Sequence, residues 1–153
     1  MPRAMSKAIL IGGLVGFSYS STINNTYATG SVNCNGAWLV GGLVGLNNGT
    51  IGNSYATGSV NSSGGGFVGG LVGFNYGTIN NTYAIGNVTG DYYVGGLVGY
   101  NGDGVGITNA SFWDTEATGQ TISAGGIGKT TAEMKTATTF TNAGWSTPIP
   151  WTI

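Results

Sequence analysis

Histidine is absent from this sequence, and charge is scarce, with 4 Lys+Arg and 5 Asp+Glu in 153 residues. Between Lys7 and Asp91 no side chain carries a formal charge. Acid–base catalysis therefore has only Asp91, Asp103, Asp114, Glu116 and Glu133 to draw on, with no imidazole beside them. A net charge of −1 leaves no clustered basic patch, which excludes nucleic acid and an anionic membrane surface as electrostatic partners. One cysteine, Cys34, excludes an internal disulfide framework and a thiolate metal site. Long apolar runs are missing too: Gly, Asn and Thr interrupt every stretch before the roughly 20 residues of a membrane span, so no span is expected. No Pro-rich or charged stretch divides the chain, and its length suits one domain. Low charge can signal disorder, but disordered chains are poor in aliphatic and aromatic residues, and 41% of this one is hydrophobic.

What is abundant is glycine, 31 residues of it, and the glycines recur at fixed places. Gly-Gly-Leu-Val-Gly blocks begin at Gly12, Gly41, Gly69 and Gly95, so the steps are 29, 28 and 26 residues. Ile23, Ile51, Ile79 and Ile107 are spaced by 28 throughout, with Asn25, Asn53, Asn81 and Asn109 two places after each. Tyr27, Tyr55 and Tyr83 follow, then Val32, Val60 and Val88. A period in this range marks a repeat architecture in which each unit stacks on its neighbours. The uneven Gly-Gly steps put the length variation in loops, at residues 33–39, 61–67 and 89–93.

Glycine at this density makes helix costly, at about 1 kcal/mol for each interior position. Short strands bounded by Gly or Asn fit better. Three are expected per unit: Val-Gly-Gly-Leu-Val-Gly, Thr-Ile-x-Asn and Tyr-Ala-Thr-Gly-x-Val. The fold class predicted is all-β, a β-solenoid of about four 28-residue coils. Stacked this way, Ile23, Ile51, Ile79 and Ile107 form an inward column, as do Val15, Val44, Val72 and Val98. Asn25, Asn53, Asn81 and Asn109, with Asn47, Asn75 and Asn101, are expected as corner ladders, because Asn tolerates left-handed backbone and its amide bonds along a column. Tyr27, Tyr55 and Tyr83 make a third column, read as packing ahead of a carbohydrate platform. The start of the chain looks like a signal peptide, with Arg3 and Lys7 ahead of apolar residues 8–15. Yet Ile11-Gly12-Gly13-Leu14-Val15-Gly16-Phe17 is itself a repeat copy, and cleaving it would destroy the first coil.

The unit Gly41-Gly42-Leu43-Val44-Gly45-Leu46-Asn47-Asn48-Gly49-Thr50-Ile51-Gly52-Asn53-Ser54-Tyr55-Ala56-Thr57-Gly58 resembles the GLUG repeat of large bacterial and archaeal surface and secreted proteins. The likeness covers roughly residues 11 to 111. It implies an exported, adhesin-like architecture and a location outside the cell or on its surface, and the motif brings no catalytic residues with it. The expectation is a non-catalytic structural or adhesive module without cofactor or metal. Its partners would be flanking repeats or further copies stacked head to tail into a filament, or a host-surface protein or glycan. An enzyme on a β-helix and an ice-binding solenoid are weaker alternatives; the Thr29 and Thr57 column that ice binding wants is broken by Ile85.

Residues 1–110 are assigned to the repeats and 111–153 to a C-terminal cap, since a solenoid's last edge needs covering. Thr130 and Glu133 have capping-box spacing ahead of a short helix over residues 132–137. Trp113, Met134, Phe140, Trp145 and Trp151 are candidates to lie over the open core of the last coil. The carboxylate pairs Asp114/Glu116 and Asp91/Asp103 are weak glycosidase candidates. Gly125-Gly126-Ile127-Gly128-Lys129-Thr130 lacks the spacing and the strand-to-helix setting of a phosphate loop. Calcium loops need an Asp in every turn, and residues 8–90 have none. Of six Asn-x-Ser/Thr sequons, Asn61 and Asn87 fall at loop starts and are the candidate glycosylation acceptors.

Overall fold

A computed structural model describes residues 9–146. The signal-peptide-like start with Arg3 and Lys7, and Trp151 in the expected cap, lie outside the described residues. Within them the chain is all-β with a few short helices, wound into four turns of a solenoid.

Among the described residues every strand pairing is parallel, and all but that of Phe112–Asp114 with Ile127–Lys129 of the cap join one coil to the next, which is the signature of stacked turns. Three walls result. A short wall stacks Leu10–Gly12, Leu39–Gly41, Phe67–Gly69 and Val94–Gly95. A long wall carries Val15–Asn24, Val44–Ala56, Val72–Asn75 with Thr78–Ala84, and Val98–Asn101. A third wall stacks Val32–Asn35, Val60–Ser63 and Val88–Thr89.

The corners fall inside the expected strands rather than between them. Val-Gly-Gly-Leu-Val-Gly is not one strand: Leu39–Gly41 ends on the short wall and Val44–Ala56 opens the long one, so Gly42-Leu43 is the corner. A Cβ on Gly41 would sit 2.0 Å from the Val44 carbonyl oxygen, and one on Gly42 would sit 2.1 Å from that of Gly70. The glycine pair is thus what lets backbone meet backbone at this bend. Across the core from Gly42, Ala56 keeps its small side chain where there is no room for more. Thr-Ile-x-Asn and Tyr-Ala, conversely, merge into one strand in Val44–Ala56.

Inside the walls, like residues stack on like. Val44 pairs with Val72 and Val72 with Val98; Ile23 pairs with Ile51 and Ile51 with Ile79. Ile51, Ile79, Leu43, Leu71, Leu97, Val44, Val72 and Val98 are fully buried in one cluster, and Val32, Val40, Val60, Val68 and Val88 form a second behind the third wall. Full burial of such side chains is worth about 1.5–3 kcal/mol each, so these columns hold the stack together.

The fourth coil departs from the 28-residue beat. Ile107 pairs with Thr78, not Ile79, and is 49% exposed; Thr108 takes the Ile position opposite Ile79. Compared with the coil before it, this coil is shorter at residues 89–93 and longer at residues 102–106, where a turn closes from the Val105 N–H to the Gly102 carbonyl. The interval from Ile79 to Ile107 is therefore coincidental, and the true partner lies one residue later. In a strand that single residue moves the side chain to the opposite face. Asn109 shifts with it: it pairs with Asn80, and Ala110 takes the left-handed place held by Asn25, Asn53 and Asn81 below. Ile107 and Asn109 are thus not members of the Ile and Asn columns. With the register corrected, Tyr83 pairs with Phe112 and Ala84 with Trp113, so the fourth coil runs on to Asp114.

The cap divides its tasks differently from the expectation. Trp113 points inward and closes the top of the core. The backbone of residues 122–124 lies across the same end, with Gly96 N–H bonded to the Ile122 carbonyl and Ala124 N–H to that of Val98. Ser123 accepts from the Leu97 and Val98 amides through its hydroxyl. Met134, Phe140 and Trp145 do not lie over the core end: they pack outside the long wall, on Tyr83 and Phe112. The expected helix over 132–137 is also two pieces, Thr131–Met134 and Ala137–Thr141. The Thr130–Glu133 capping box is formed, and the first helix ends at its C-cap Lys135.

Candidate functional site

Two Asn arrangements with different roles run along the long wall. Asn47 and Asn75 are fully buried, and their amides bond in series: Asn47 Nδ2 donates to Asn75 Oδ1 at 2.8 Å, Asn75 Nδ2 to Asn101 Oδ1 at 3.0 Å, and Asn101 Nδ2 to the Ala124 carbonyl. Each buried Asn also closes on the glycine two residues later, accepting from its N–H and donating to its carbonyl. That double closure accounts for the Asn-x-Gly spelling of the repeat. Ser18 stands in the same register in the first coil and bonds to Ser21 instead. The second set, Asn25, Asn53 and Asn81, holds left-handed backbone at φ 54°, 47° and 51° on the exposed side. Asn53 Nδ2 donates to Asn24 and Asn81 Nδ2 to Asn53.

The tyrosine column is a continuous stack. Tyr27 and Tyr55 have ring centroids 5.2 Å apart and 8° from parallel, and Tyr55 and Tyr83 are 4.9 Å apart at 4°. Tyr27 is 60% exposed, whereas Tyr83 is 2% exposed under the cap. Burial, with Tyr55 adding to it, pushes the Tyr83 phenol well above the ordinary tyrosine range. Above Tyr83, its strand partner Phe112 packs with Phe140 and Trp145 in one cluster, edge-on or tilted rather than stacked.

A separate aromatic surface faces outward where three loops join the third wall to the short wall. Contrary to expectation the first two are equal in length and only the third is shorter; the extra residue of the first coil lies in the register shift between Tyr19 and Thr22. Trp38 comes from the first loop, Gly64, Gly65, Gly66 and Phe67 from the second, and Tyr92 and Tyr93 from the third; together they line a groove of ≈ 310 Å³. Phe67 packs at 4.8 Å on Tyr93 and 5.0 Å on Tyr100, and Phe74 at 4.9 Å on Tyr100. Tyr93 is held at φ 40°, a left-handed conformation that is uncommon for an aromatic residue. Asp91 stands beside it and accepts from the Gly64 N–H at 2.7 Å. The sequence marked these segments as loops, but no local pattern in it shows that their aromatic residues converge.

The carboxylates of the two candidate pairs are held in structural bonds. Asp114 is buried and caps the helix Thr115–Thr118, accepting from Glu116 N–H and Ala117 N–H and from the Thr131 hydroxyl. Glu116 accepts from the Thr131 N–H. Asp103 accepts from the Tyr100 hydroxyl, a bond that holds the phenol above its ordinary pKa. The Thr130 N–H, with its hydroxyl, draws Glu133 below the usual carboxylate range. Gly126 and Ile127–Lys129 form a turn and a strand that add to the long wall beside Phe112–Asp114. Among the described residues no group of three His, Cys, Asp or Glu could hold a metal. Cys34 is half-buried, with its thiol toward the Asn61 carbonyl.

The two candidate acceptor Asn residues differ. Asn87 is exposed, while Asn61 is half-buried and already engaged on both sides, donating to Asn33 and accepting from Thr89.

Among the described residues the edge of the first coil is the less covered one. Ile11, Val15 and Ile23 are half-buried, where their register partners Val40, Val44 and Ile51 are fully buried. Leu14, Phe17 and Tyr19 are exposed beside them.

Compared with known proteins, residues 8–33 and 36–61 each match the family model of the GLUG motif. A protein of Evansella cellulosilytica, carried under the name of a Gly-rich membrane protein, is 40% identical over 143 residues. That match takes in 94% of this chain and 10% of the relative, so the chain spans about a tenth of the length of the protein it resembles. No solved structure matches the chain. No helix among the described residues is long and apolar enough to cross a membrane.

Proposed function

Because this chain is a GLUG-repeat protein, we propose that it serves as a non-catalytic structural and adhesive module of an exported protein, displayed outside the cell. One observation carries this reading: among the described residues the solenoid is covered at its fourth coil and less covered at its first. Trp113 and residues 122–124 cover the fourth coil, whereas the core columns of the first coil remain half-buried. A half-covered edge of Ile11, Val15 and Ile23 is a template for another coil of the same kind, since a parallel strand laid on it would meet the same residue spacing. The length of the Evansella cellulosilytica relative supports a setting with many such units. Its membrane-protein name supports a location at the cell boundary. The near-absence of charge, the Asn ladders and the outward aromatic rings suit a rigid rod whose sides bind.

Head-to-tail assembly of separate copies fits this geometry less well. It would need the far end to offer an open edge to the first coil of the next copy, and that end carries the cap. A heterologous contact of that kind propagates only when both surfaces are free.

The experiment has two arms. A copy of one 28-residue unit, residues 39–66, is fused ahead of the chain so that it continues the stack. The expected result is a higher melting temperature, with slowed amide exchange in residues 10–28; unchanged exchange there would refute the first-coil edge as a stacking surface. In the source cells, an epitope within residues 9–146 should be removed by protease added to intact cells. An epitope protected until the cells are lysed would refute display outside the cell.

A further inference from the structure

We propose that the groove between the three variable loops binds a neutral pyranose chain, through the ring faces of Trp38, Tyr92 and Tyr93. This rests on the adhesive reading above and supplies its ligand class. The walls repeat with little change from coil to coil, whereas the loops differ in sequence and the third is the shortest, and binding residues sit preferentially on loops that a rigid scaffold positions. Here each of the three loops contributes aromatic surface to one groove.

Trp38, Tyr92 and Tyr93 are 52%, 63% and 62% exposed. Such a concentration of exposed aromatic area marks a contact surface rather than a core. Its volume, ≈ 310 Å³, falls in the range of small-ligand sites, where apolar lining is joined by a few polar groups. The left-handed φ of Tyr93 is backbone strain in the loop that carries two of the rings. At Gly65 a Cβ would meet the Ala37 carbonyl oxygen at 2.2 Å, so the second loop lies directly on the backbone of the first.

Chemistry narrows the occupant. A pyranose presents an apolar face of C–H bonds and a rim of hydroxyls. The rings meet the first, while the tyrosine hydroxyls and the indole N–H meet the second. Neither the groove lining nor any other residue from 8 to 90 offers a cation. Among the described residues the lining thus offers an anionic sugar no cation, and the Asp91 carboxylate bonded to Gly64 stands against one, so the ligand proposed is neutral.

The probes are cellohexaose, chitohexaose and maltohexaose, with hexagalacturonate as the anionic control, titrated into the whole chain. Binding is read by titration calorimetry, so that Trp38→Ala is measured by the same signal as the wild type. At least one neutral hexasaccharide should bind with a dissociation constant of about 0.1–1 mM, and the anionic one should not. Trp38→Ala and Tyr92→Ala should weaken binding about tenfold or more, with melting temperatures within about 2 °C of wild type, because both side chains are exposed. No response to any neutral sugar at about 10 mM, or wild-type binding by both variants, overturns the proposal. A second measurement separates it from the adhesive reading: beads coated with the chain are applied to a target cell surface treated with periodate or with protease. Loss of adhesion after periodate and its survival after protease support a glycan. The reverse pattern points to a protein partner and overturns the groove assignment while adhesion stands. Beads that fail on the untreated surface refute adhesion itself, and the sugar titrations then decide the groove.

Discussion

Trp113 occupies on the fourth coil the position that Ala84 occupies on the third, and it fills the end of the core from there. The alanine column, Ala28, Ala56 and Ala84, faces the Gly-Gly corners, where a Cβ on Gly42 would lie 3.1 Å from that of Ala56. An indole fits only where no further coil of the same form follows. Its Nε1 donates to the Gln120 carbonyl at 2.8 Å, which ties the lid segment down. Trp113→Ala is expected to cost about 3–5 kcal/mol, the range for emptying a large aromatic site. Chemical denaturation checks this; a loss below about 1 kcal/mol would show that the cap holds without it.

The register of the fourth coil gives a paired prediction. Ile79→Ser should destabilise by about 3–5 kcal/mol, since it removes a buried side chain and leaves a hydroxyl in the core. Ile107→Ser, at the residue that shares its 28-residue spacing, should stay within about 0.5 kcal/mol, because Ile107 faces solvent. Thr108 stands in the Ile column instead, and its buried hydroxyl oxygen has no hydrogen-bond partner. Thr108→Val should therefore be neutral or stabilising by about 1 kcal/mol. Equal losses at Ile79 and Ile107 would restore the uniform 28-residue register.

These two cases show what the sequence made legible. Coil number, parallel stacking and the columns at Ile51 and Ile79 follow from spacing alone, because spacing is what stacking repeats. The slip at Ile107 was hidden because a shorter loop and a longer one nearly cancelled, leaving an interval of the expected length. Corners at Gly42 were misplaced because a Gly-Gly pair permits a strand and a bend equally well. Met134, Phe140 and Trp145 were rightly grouped with the cap, but whether they meet the core end or the outer wall depends on which way Phe112 points. That in turn depends on the slipped register. The groove of Trp38, Phe67 and Tyr92 needs three loops in space, and no local pattern carries such a convergence.

Asn75 joins more partners than any apolar column member. It accepts from Asn47, donates to Asn101 and the Ile107 carbonyl, and closes on Gly77 in both directions. Asn75→Ala would strand several buried polar groups at once, each worth about 1–3 kcal/mol when left unpaired. The expected loss is about 3 kcal/mol or more, with faster exchange of the Gly77 amide. Asn101→Ala should cost less, since Asn101 is half-buried and water can reach its partners. An Asn75→Ala variant as stable as wild type would mean that the ladder is ornamental.

The last prediction concerns alkaline pH. The Tyr83 phenol is raised above its ordinary value by burial under the cap and by Tyr55 beside it. In the unfolded chain a tyrosine loses its proton near pH 10, while the folded protein keeps this one to higher pH. Above about pH 10 the unfolded state therefore binds fewer protons than the folded state, and stability falls as pH rises. The contribution is complete below about pH 10 and is lost progressively on the way up through the folded value. Tyr100 shifts in the same direction from an exposed position through its bond to Asp103, so the informative quantity is the difference between wild type and Tyr83→Phe. Urea midpoints measured from about pH 8 to 11.5 should fall less steeply in Tyr83→Phe than in wild type. Parallel curves for the two proteins would mean that the cap does not hold the phenol neutral.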